Sequence, residues 1–201
     1  MITPASLLQP DAFLSPLAIE EAVTRALDED LGRAGDVTAV ATIPEATAAH
    51  AVMVARQAGR IAGLPLAVAT LQRLAPDIGI EAHARDGDTV AAGQRLLTIS
   101  GPARAVLSAE RTALNFVGRL SGVATLTADY VRRTEGTRAR IWRRQSACSP
   151  TSSATPAASH CATWRRRRCW LRPLPGRAAR AAVRTAAPII QLMSLLSPAA
   201  P

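Results

Sequence analysis

Residues 108–125 read SAERTALNFVGRLSGVAT, and this stretch decides how the front of the chain is built. No proline occurs between residues 103 and 134, so a long helical region is predicted there. Apolar side chains recur through it at helical spacing, namely Val106, Leu107, Leu114, Phe116, Val117 and Leu120. Glycine costs about 1 kcal/mol relative to alanine inside a helix, so Ser121 and Gly122 mark a weak point. We therefore expect two helices that meet near Gly122.

Shorter helical and alternating patterns precede this region and indicate an α+β fold class. Ser15 and Pro16 are typical of a helix start, and Gly32 of its end. A second helix is expected over residues 63–74. Strands are expected over residues 49–56, 78–84 and 96–99, with a turn, strand and turn over 86–93. The sequence thus predicts helices against a small mixed sheet, and a further buried strand that begins at residues 138–141.

The composition changes abruptly after Ile141. Residues 1–141 contain 14 arginines and all 15 acidic residues, whereas residues 142–201 contain ten arginines and no acidic residue. The excess of positive charge therefore belongs to residues 142–201, called the tail below. Its serine, threonine, alanine and proline run has no means of burying a core, so we expect disorder there. A helix broken at Pro188 is expected over residues 178–196.

The tail contains two further patterns that suggest sites. The segment from Trp164 to Trp170 has four consecutive arginines between aromatic residues, a composition that suits phosphate neutralisation and base stacking. Out-of-frame translation of GC-rich DNA gives the same composition and is the interpretation we favour, so nucleic acid is not an expected partner. Cys148, Cys161 and Cys169 do not have the spacing of a zinc site, so no metal ligands are assigned.

Three absences in the sequence restrict the possible locations and chemistry. No stretch of eighteen consecutive apolar residues occurs, which argues against a membrane-spanning helix. The N-terminus lacks the basic region of a signal peptide, and no cysteine precedes Cys148, so a cytoplasmic location is expected. The chain contains no lysine, which excludes a lysine Schiff base or general base.

Four motifs within residues 15–141 together resemble the quinolinate phosphoribosyltransferase family, also called carboxylating nicotinate-nucleotide pyrophosphorylases. The first is LDEDLGRAGDVT at residues 27–38, and the most specific is the stretch at residues 108–125. GRIAG at residues 59–63 and DGDTVAAG at residues 86–93 complete the set. The resemblance implies an enzyme of NAD biosynthesis, which joins quinolinate to phosphoribosyl pyrophosphate and forms nicotinate mononucleotide, CO₂ and pyrophosphate.

The resemblance also implies an architecture of two domains, an N-terminal α/β sandwich and an open α/β barrel that contains the active site. It divides the chain into an extension (1–14), the sandwich domain (15–120), a helix and first barrel strand (121–141) and the tail (142–201). Family members are dimers in which the N-terminal domain of one subunit closes the barrel of the other. Magnesium accompanies phosphoribosyl pyrophosphate in the family, and its ligands would lie in the barrel.

Arg111 is the substrate-binding residue that the resemblance identifies. It matches the family arginine that reaches across the dimer to a carboxylate of quinolinate. From chemistry alone, the alternative is a local pair of Arg111 with Glu110 or Asn115 on the same helix.

Other polar residues are interpreted as structural. Glu29, Asp30 and Asp36 are expected to be helix-end and turn carboxylates. His50 and His83 are expected in strands without a catalytic partner, and no base is placed to make Ser121 a nucleophile.

The likeness stops at Ile141, where the family's barrel would begin. The expected Asp-Thr-Arg-Lys-Thr, Asn-His-Arg and Lys-Asp-Asn-His segments are absent, and a chain without lysine cannot supply their lysines. No catalytic residue is therefore identified. We hypothesise a frameshift near codon 141 and a product that is inactive alone; an error-free, in-frame read of the locus would contradict this.

Three other functions remain open at this point. A non-catalytic binding module fits the pattern of residues 86–99, although a carrier module would need a modifiable lysine. An arginine-rich nucleic-acid binder acting through residues 142–201 would show salt-dependent binding that disappears when the tail is deleted. A related transferase could also use a different pyridine or purine-like substrate.

Overall fold

A computed structural model describes residues 2–8, 14–138 and 190–197 of the chain. The helices are α1 (Pro16–Leu31), α2 (Val37–Thr42), α3 (Leu64–Leu74) and α4 (Ala103–Thr134), preceded by a 3-10 turn at Pro4–Leu7. The strands are β1 (Ala48–Ala55), β2 (Gly59–Arg60), β3 (Gly79–Ala82), β4 (Thr89–Val90), β5 (Arg95–Pro102) and β6 (Ile190–Ser197). Within these residues, no helix has the length and hydropathy needed to cross a bilayer.

The main sheet has four strands in the order β3-β5-β1-β6, and all neighbours are antiparallel. β1 is central, and it pairs with β5 from Ala48 opposite Pro102 to Val54 opposite Arg95, with an irregularity between Met53 and Val54. β2 and β4 form a separate two-stranded ladder. The α+β fold class is confirmed, since helices cover an open sheet and the described residues form no barrel.

The core lies between one face of the sheet, α3 and α4. Alternate residues of β1 are buried there, as expected for a strand with one covered face. The core includes Ala51, Met53, Leu97 and Ile99 from the sheet, Leu64, Val68 and Leu71 from α3, and Val106, Ala113 and Val117 from α4. Leu7 also belongs to this cluster, so the first residues of the chain contribute to the core.

Helix α1 packs on the other side of α3. Ile19, Val23 and Leu27 are spaced four residues apart and therefore share one face of the helix. They form a second apolar cluster with Leu66 of α3. The helix ends at Gly32, as predicted, with a φ of 55°. Ser15 precedes the first helical residue as predicted, but its side chain makes no capping hydrogen bond.

Helix α4 runs without a break from Ala103 to Thr134, so the prediction of two helices that meet near Gly122 is wrong. Ser121 is buried, and its hydroxyl bonds to both backbone groups of Ala62. These contacts and the packed face around Val117 offset the roughly 1 kcal/mol cost of one glycine. The strand expected from residue 138 falls mostly outside the described residues, and Arg138 itself is not in a strand.

Strand β6 comes from the tail and pairs along the whole of β1, from Ala48 opposite Ser197 to Ala55 opposite Ile190. The helix expected over residues 178–196 is therefore wrong for its last seven residues. A short apolar run is compatible with a helix or with a strand. Here it forms a strand, because β1 has an open edge whose backbone groups β6 can pair. The disorder expected for the tail is therefore wrong for residues 190–197, which form β6. The rest of that expectation, the cysteine site and the arginine cluster lie outside the described residues.

Removal of β6 is expected to destabilise the sheet. A chain that ends at residue 185 would leave one edge of β1 without its eight-residue partner. We expect a net loss of about 1 to 2 kcal/mol in the free energy of unfolding, because the chain entropy that the freed residues recover offsets most of the contribution of these hydrogen bonds. Urea unfolding of both chains, followed by circular dichroism, measures this difference. Equal midpoints would contradict the role given to β6.

Candidate functional site

Arg111 lies in the first half of α4, and its side chain is exposed. Within the described residues, no ion pair or hydrogen bond joins Arg111 to another group, so the expected alternative of a local pair with Glu110 or Asn115 is not observed there. The neighbouring Glu110 is half-buried, and desolvation raises the pKa of its carboxyl above the ordinary value. Within the part of the chain that the structure describes, the guanidinium of Arg111 is therefore left without a charged partner.

The turn of α4 that contains Arg111 is hydrogen-bonded to the last turn of α1 and to the N-cap of α2. The hydroxyl of Thr112, which is 2 % exposed, donates a short hydrogen bond to Asp30 in the last turn of α1. The hydroxyl of Ser108 donates to Oδ2 of Asp36 at 3.0 Å. The motifs at residues 27–38 and 108–125 therefore meet in space.

Asp36 has a second role, because its Oδ1 accepts the backbone N–H of Ala39 at 2.9 Å and caps α2. The C-terminal end of α2 is bonded as well. Arg104 of α4 donates to the backbone oxygen of Ile43 at 2.8 Å and of Val40 at 3.3 Å. Both ends of this six-residue helix are thus fixed to α4. The interpretation of Asp30 and Asp36 as helix-end and turn carboxylates is consistent with these contacts.

The second half of α4 bonds to GRIAG, residues 59–63. Ser121 accepts the Ala62 N–H at 3.0 Å, and Thr125 accepts the Arg60 N–H at 2.9 Å. Gly59 allows this approach, because a Cβ there would lie only 2.6 Å from the Thr125 hydroxyl oxygen. The Ser121 hydroxyl thus joins α4 to this segment.

Asp86 connects the fourth motif to the same region. Its two carboxylate oxygens accept the backbone N–H groups of Gly63 at 2.8 Å and Leu64 at 2.9 Å, at the N-terminus of α3. This is the position where a helix leaves N–H groups unpaired and favours a negative charge. Burial raises the pKa of Asp86 above its ordinary value, while the two backbone hydrogen bonds act in the opposite direction.

The raised pKa of Asp86 gives a testable pH dependence. Between the unfolded pKa of about 3.9 and the higher folded value, the folded state binds more protons, so stability falls as pH rises through that window. Asp86→Asn removes this titration. The stability of the native chain, expressed as its free energy of unfolding minus that of Asp86→Asn, is therefore expected to be larger at pH 4 than at pH 7. Urea unfolding of both chains at both pH values measures this difference. A difference of the opposite sign would contradict the shift.

The other polar residues considered from the sequence do not assemble into a reactive site within the described residues. Glu29 and His50 are exposed, and the ring of His83 bonds to the Thr98 hydroxyl at 2.8 Å. Among residues 2–8, 14–138 and 190–197, no three His, Cys, Asp or Glu side chains are grouped so that they could bind a metal ion. Magnesium binds oxygen ligands such as grouped carboxylates, and the described residues provide no such group. We therefore assign magnesium no role in a reaction at these residues.

Sequence reasoning missed the hydroxyl contacts of α4 and the capping role of Asp86. The signal was present, because Ser108 and Thr112, and likewise Ser121 and Thr125, are four residues apart and so share one helix face. Their partners are distant in sequence, and spacing alone does not reveal which segment lies opposite.

Comparisons with known proteins identify the same region. Residues 36–121 match the model of the quinolinate phosphoribosyl transferase N-terminal domain. The chain is 39% identical over 129 residues to the carboxylating nicotinate-nucleotide pyrophosphorylase of Mycobacterium leprae, a match that covers 62% of this chain and 44% of that protein. It is 39% identical over 109 residues to the chloroplastic enzyme of the same name from Arabidopsis thaliana, covering 54% and 31%.

Solved structures agree with these matches. The crystal structure of NadC from Streptococcus pyogenes aligns with a TM-score of 0.56 and 32% identity, covering 59% of this chain and 43% of that one. The nicotinate-nucleotide pyrophosphorylase of Francisella tularensis aligns with a TM-score of 0.59 and 29% identity, covering 64% and 46%. The chain spans less than half the length of these relatives. Residues 36–121 are therefore similar in sequence to the quinolinate phosphoribosyl transferase N-terminal domain, and the chain shares its fold with part of these solved structures.

Proposed function

We propose that this chain is the N-terminal half of a quinolinate phosphoribosyltransferase and that Arg111 binds a carboxylate of quinolinate in the active site of a partner subunit. The observation that supports this most directly is the state of Arg111. It is exposed and makes no ion pair within the described residues, yet the helix turn around it is bonded through two side chains. An arginine on a fixed turn with an unused guanidinium suits recognition of an external anion.

The chemistry of the proposed substrate fits an arginine. Quinolinate is a dicarboxylate, and a planar guanidinium binds a carboxylate through two parallel N–H···O bonds. Arginine stays charged throughout the physiological pH range, so this interaction needs no adjusted pKa. Phosphoribosyl pyrophosphate, the second proposed substrate, is polyanionic and needs further cations, which we place in the catalytic half of a partner.

We further propose that the chain alone does not turn over quinolinate. Residues 15–120 would act as the sandwich domain and residues 121–141 as the connection to a barrel, in a dimer whose barrel belongs to the partner. The described residues offer no cluster of donor side chains for magnesium. The cytoplasm is the compartment that the absence of cysteine before Cys148 favours.

Co-expression with an intact relative tests this proposal. The Mycobacterium leprae enzyme is given alanine at the position that aligns with Arg111, so that it supplies the catalytic half while only the present chain supplies an arginine at that position. In mixed dimers, the present chain would supply Arg111 to that active site. We expect formation of nicotinate mononucleotide from quinolinate well above that of the substituted relative alone, and none from the chain alone.

Two outcomes would contradict the proposal separately. Turnover by the purified chain alone would contradict its inactivity. A mixture that forms mixed dimers, as shown by co-purification on an affinity tag, but gains no activity would contradict the role of Arg111.

A further inference from the structure

Two carboxylates outside α4 bind hydroxyl groups on either side of Arg111. Ser108 precedes Arg111 by three residues, and Thr112 follows it directly, so the two hydroxyls lie one helical turn apart. Asp36 accepts the first and Asp30 the second. The two acceptors come from different elements, the N-cap of α2 and the last turn of α1.

These carboxylates are engaged by hydroxyl and backbone donors and not by the arginine. Asp36 uses Oδ1 for the Ala39 N–H and Oδ2 for Ser108. Asp30 uses Oδ2 for Thr112. Neither lies within ion-pair distance of Arg111, although both carry the opposite charge. Asp30 and Asp36 therefore do not pair with the Arg111 guanidinium, which stays available to bind an anion.

Apolar packing alone would fix this turn less well. Val106, Ala109 and Ala113 bury the opposite side of α4 against the sheet. Such contacts are non-directional. Hydrogen bonds to carboxylates are directional and stronger than those between neutral groups. Two of them, one turn apart, restrict both rotation and sliding of the helix.

We infer that Asp30 and Asp36 are positioning residues for Arg111, acting through Thr112 and Ser108. By fixing the rotation of α4 about its axis, they fix the direction in which the Arg111 side chain projects, so that its guanidinium is already oriented toward the substrate carboxylate. This inference rests on the proposed function of Arg111. It gives the motif at residues 27–38 a role in substrate binding that involves no contact with substrate.

Thr112 allows a clean test, because the hydroxyl can be removed without changing the shape of the side chain. Thr112→Val keeps the volume and loses the hydrogen bond to Asp30, whereas Thr112→Ser keeps the hydroxyl and loses a methyl group. In the full chain alone, hydrogen exchange resolved by peptide is expected to quicken roughly tenfold over residues 109–115 in Thr112→Val. In Thr112→Val, exchange over residues 119–130 is expected to stay unchanged. In Thr112→Ser, exchange is expected to stay unchanged along the whole of α4.

The kinetic measurement uses the mixed dimers described above. Thr112→Val is expected to raise the KM for quinolinate roughly tenfold with little change in kcat, because misplacing a binding group weakens the substrate complex. The KM for phosphoribosyl pyrophosphate should not change, and Thr112→Ser should restore the native KM.

The outcomes separate the two proposals. Mixed dimers that are inactive with the unsubstituted chain contradict the proposed function. Equal quinolinate KM values for Thr112→Val and Thr112→Ser in active dimers contradict the positioning role alone. Equal exchange over residues 109–115 in the two variants overturns the positioning role whether or not the dimers are active.

Discussion

Replacement of Arg111 by alanine is expected to lower the quinolinate-dependent activity of the mixed dimers about a hundredfold, because truncating one partner of a buried charged pair typically costs 2–5 kcal/mol. The guanidinium supplies two hydrogen bonds and a full positive charge to a carboxylate that would otherwise lose its water without compensation. The loss should fall mainly on kcat/KM for quinolinate. Steady-state rates of nicotinate mononucleotide formation measure it.

Two variants control for the loss of a positive charge and for the shape of the cationic group. Arg119 is exposed on the same helix two turns later, so Arg119→Ala removes an identical charge away from the proposed contact and should leave the rate unchanged. Arg111→Lys keeps the charge but not the fork, and we expect it to recover only part of the activity. If Arg111→Ala and Arg119→Ala lowered the rate equally, the effect would be one of overall charge and not of substrate binding.

Replacement of Gly63 by alanine is expected to destabilise the fold by about 3 kcal/mol, since a left-handed alanine costs 1–2 kcal/mol and a packed clash adds more. Gly63 is the N-cap residue of α3 and has a φ of 99°. A Cβ at this position would lie 3.0 Å from the backbone oxygen of Phe116 on α4, which cannot move aside without shifting the helix. Thermal and urea unfolding of the full chain measure the loss.

The same substitution at Gly118 is the matched control and should have the opposite sign. Gly118 lies inside α4, and a Cβ there would meet no atom within 4 Å. Gly118→Ala should therefore stabilise the chain by about 0.5 to 1 kcal/mol, through helix propensity alone. A destabilising Gly118→Ala, or a neutral Gly63→Ala, would contradict the packing described for α4.

The local elements were largely predictable because their signals are local. Alternation over residues 49–56 gave β1 within a residue, and Gly32 marked the end of α1. Arg111 could be singled out from its motif, but its lack of a partner in the described residues could not. Whether Glu110 or Asn115 binds the guanidinium depends on side-chain direction and on what lies beside the helix.

The failures have a common physical cause, since each depended on a partner distant in sequence. Helix propensity alone predicts a break at Gly122. The helix continues there because Ser121 is hydrogen-bonded to Ala62 and because one face of α4 is buried. The short helix α2 was not predicted, because six residues show too little periodicity, and the arginine that bonds its C-terminal end, Arg104, lies on α4. Strand β6 was read as helix because nothing within it shows that β1 has an open edge.

The position of β6 has a consequence for how the chain folds during synthesis. Ala55 of β1 pairs with Ile190, about 135 residues later. At a translation rate of about 5–20 residues per second, the ribosome needs roughly 7 to 27 s to make the intervening chain. Throughout that interval, β1 presents one unpaired edge to every neighbouring nascent chain. Closing so large a loop also raises the contact order of an otherwise local fold, and folding slows accordingly. We therefore expect the pairing of β6 with β1 to be a late step of folding, with the open edge of β1 exposed to other chains until then.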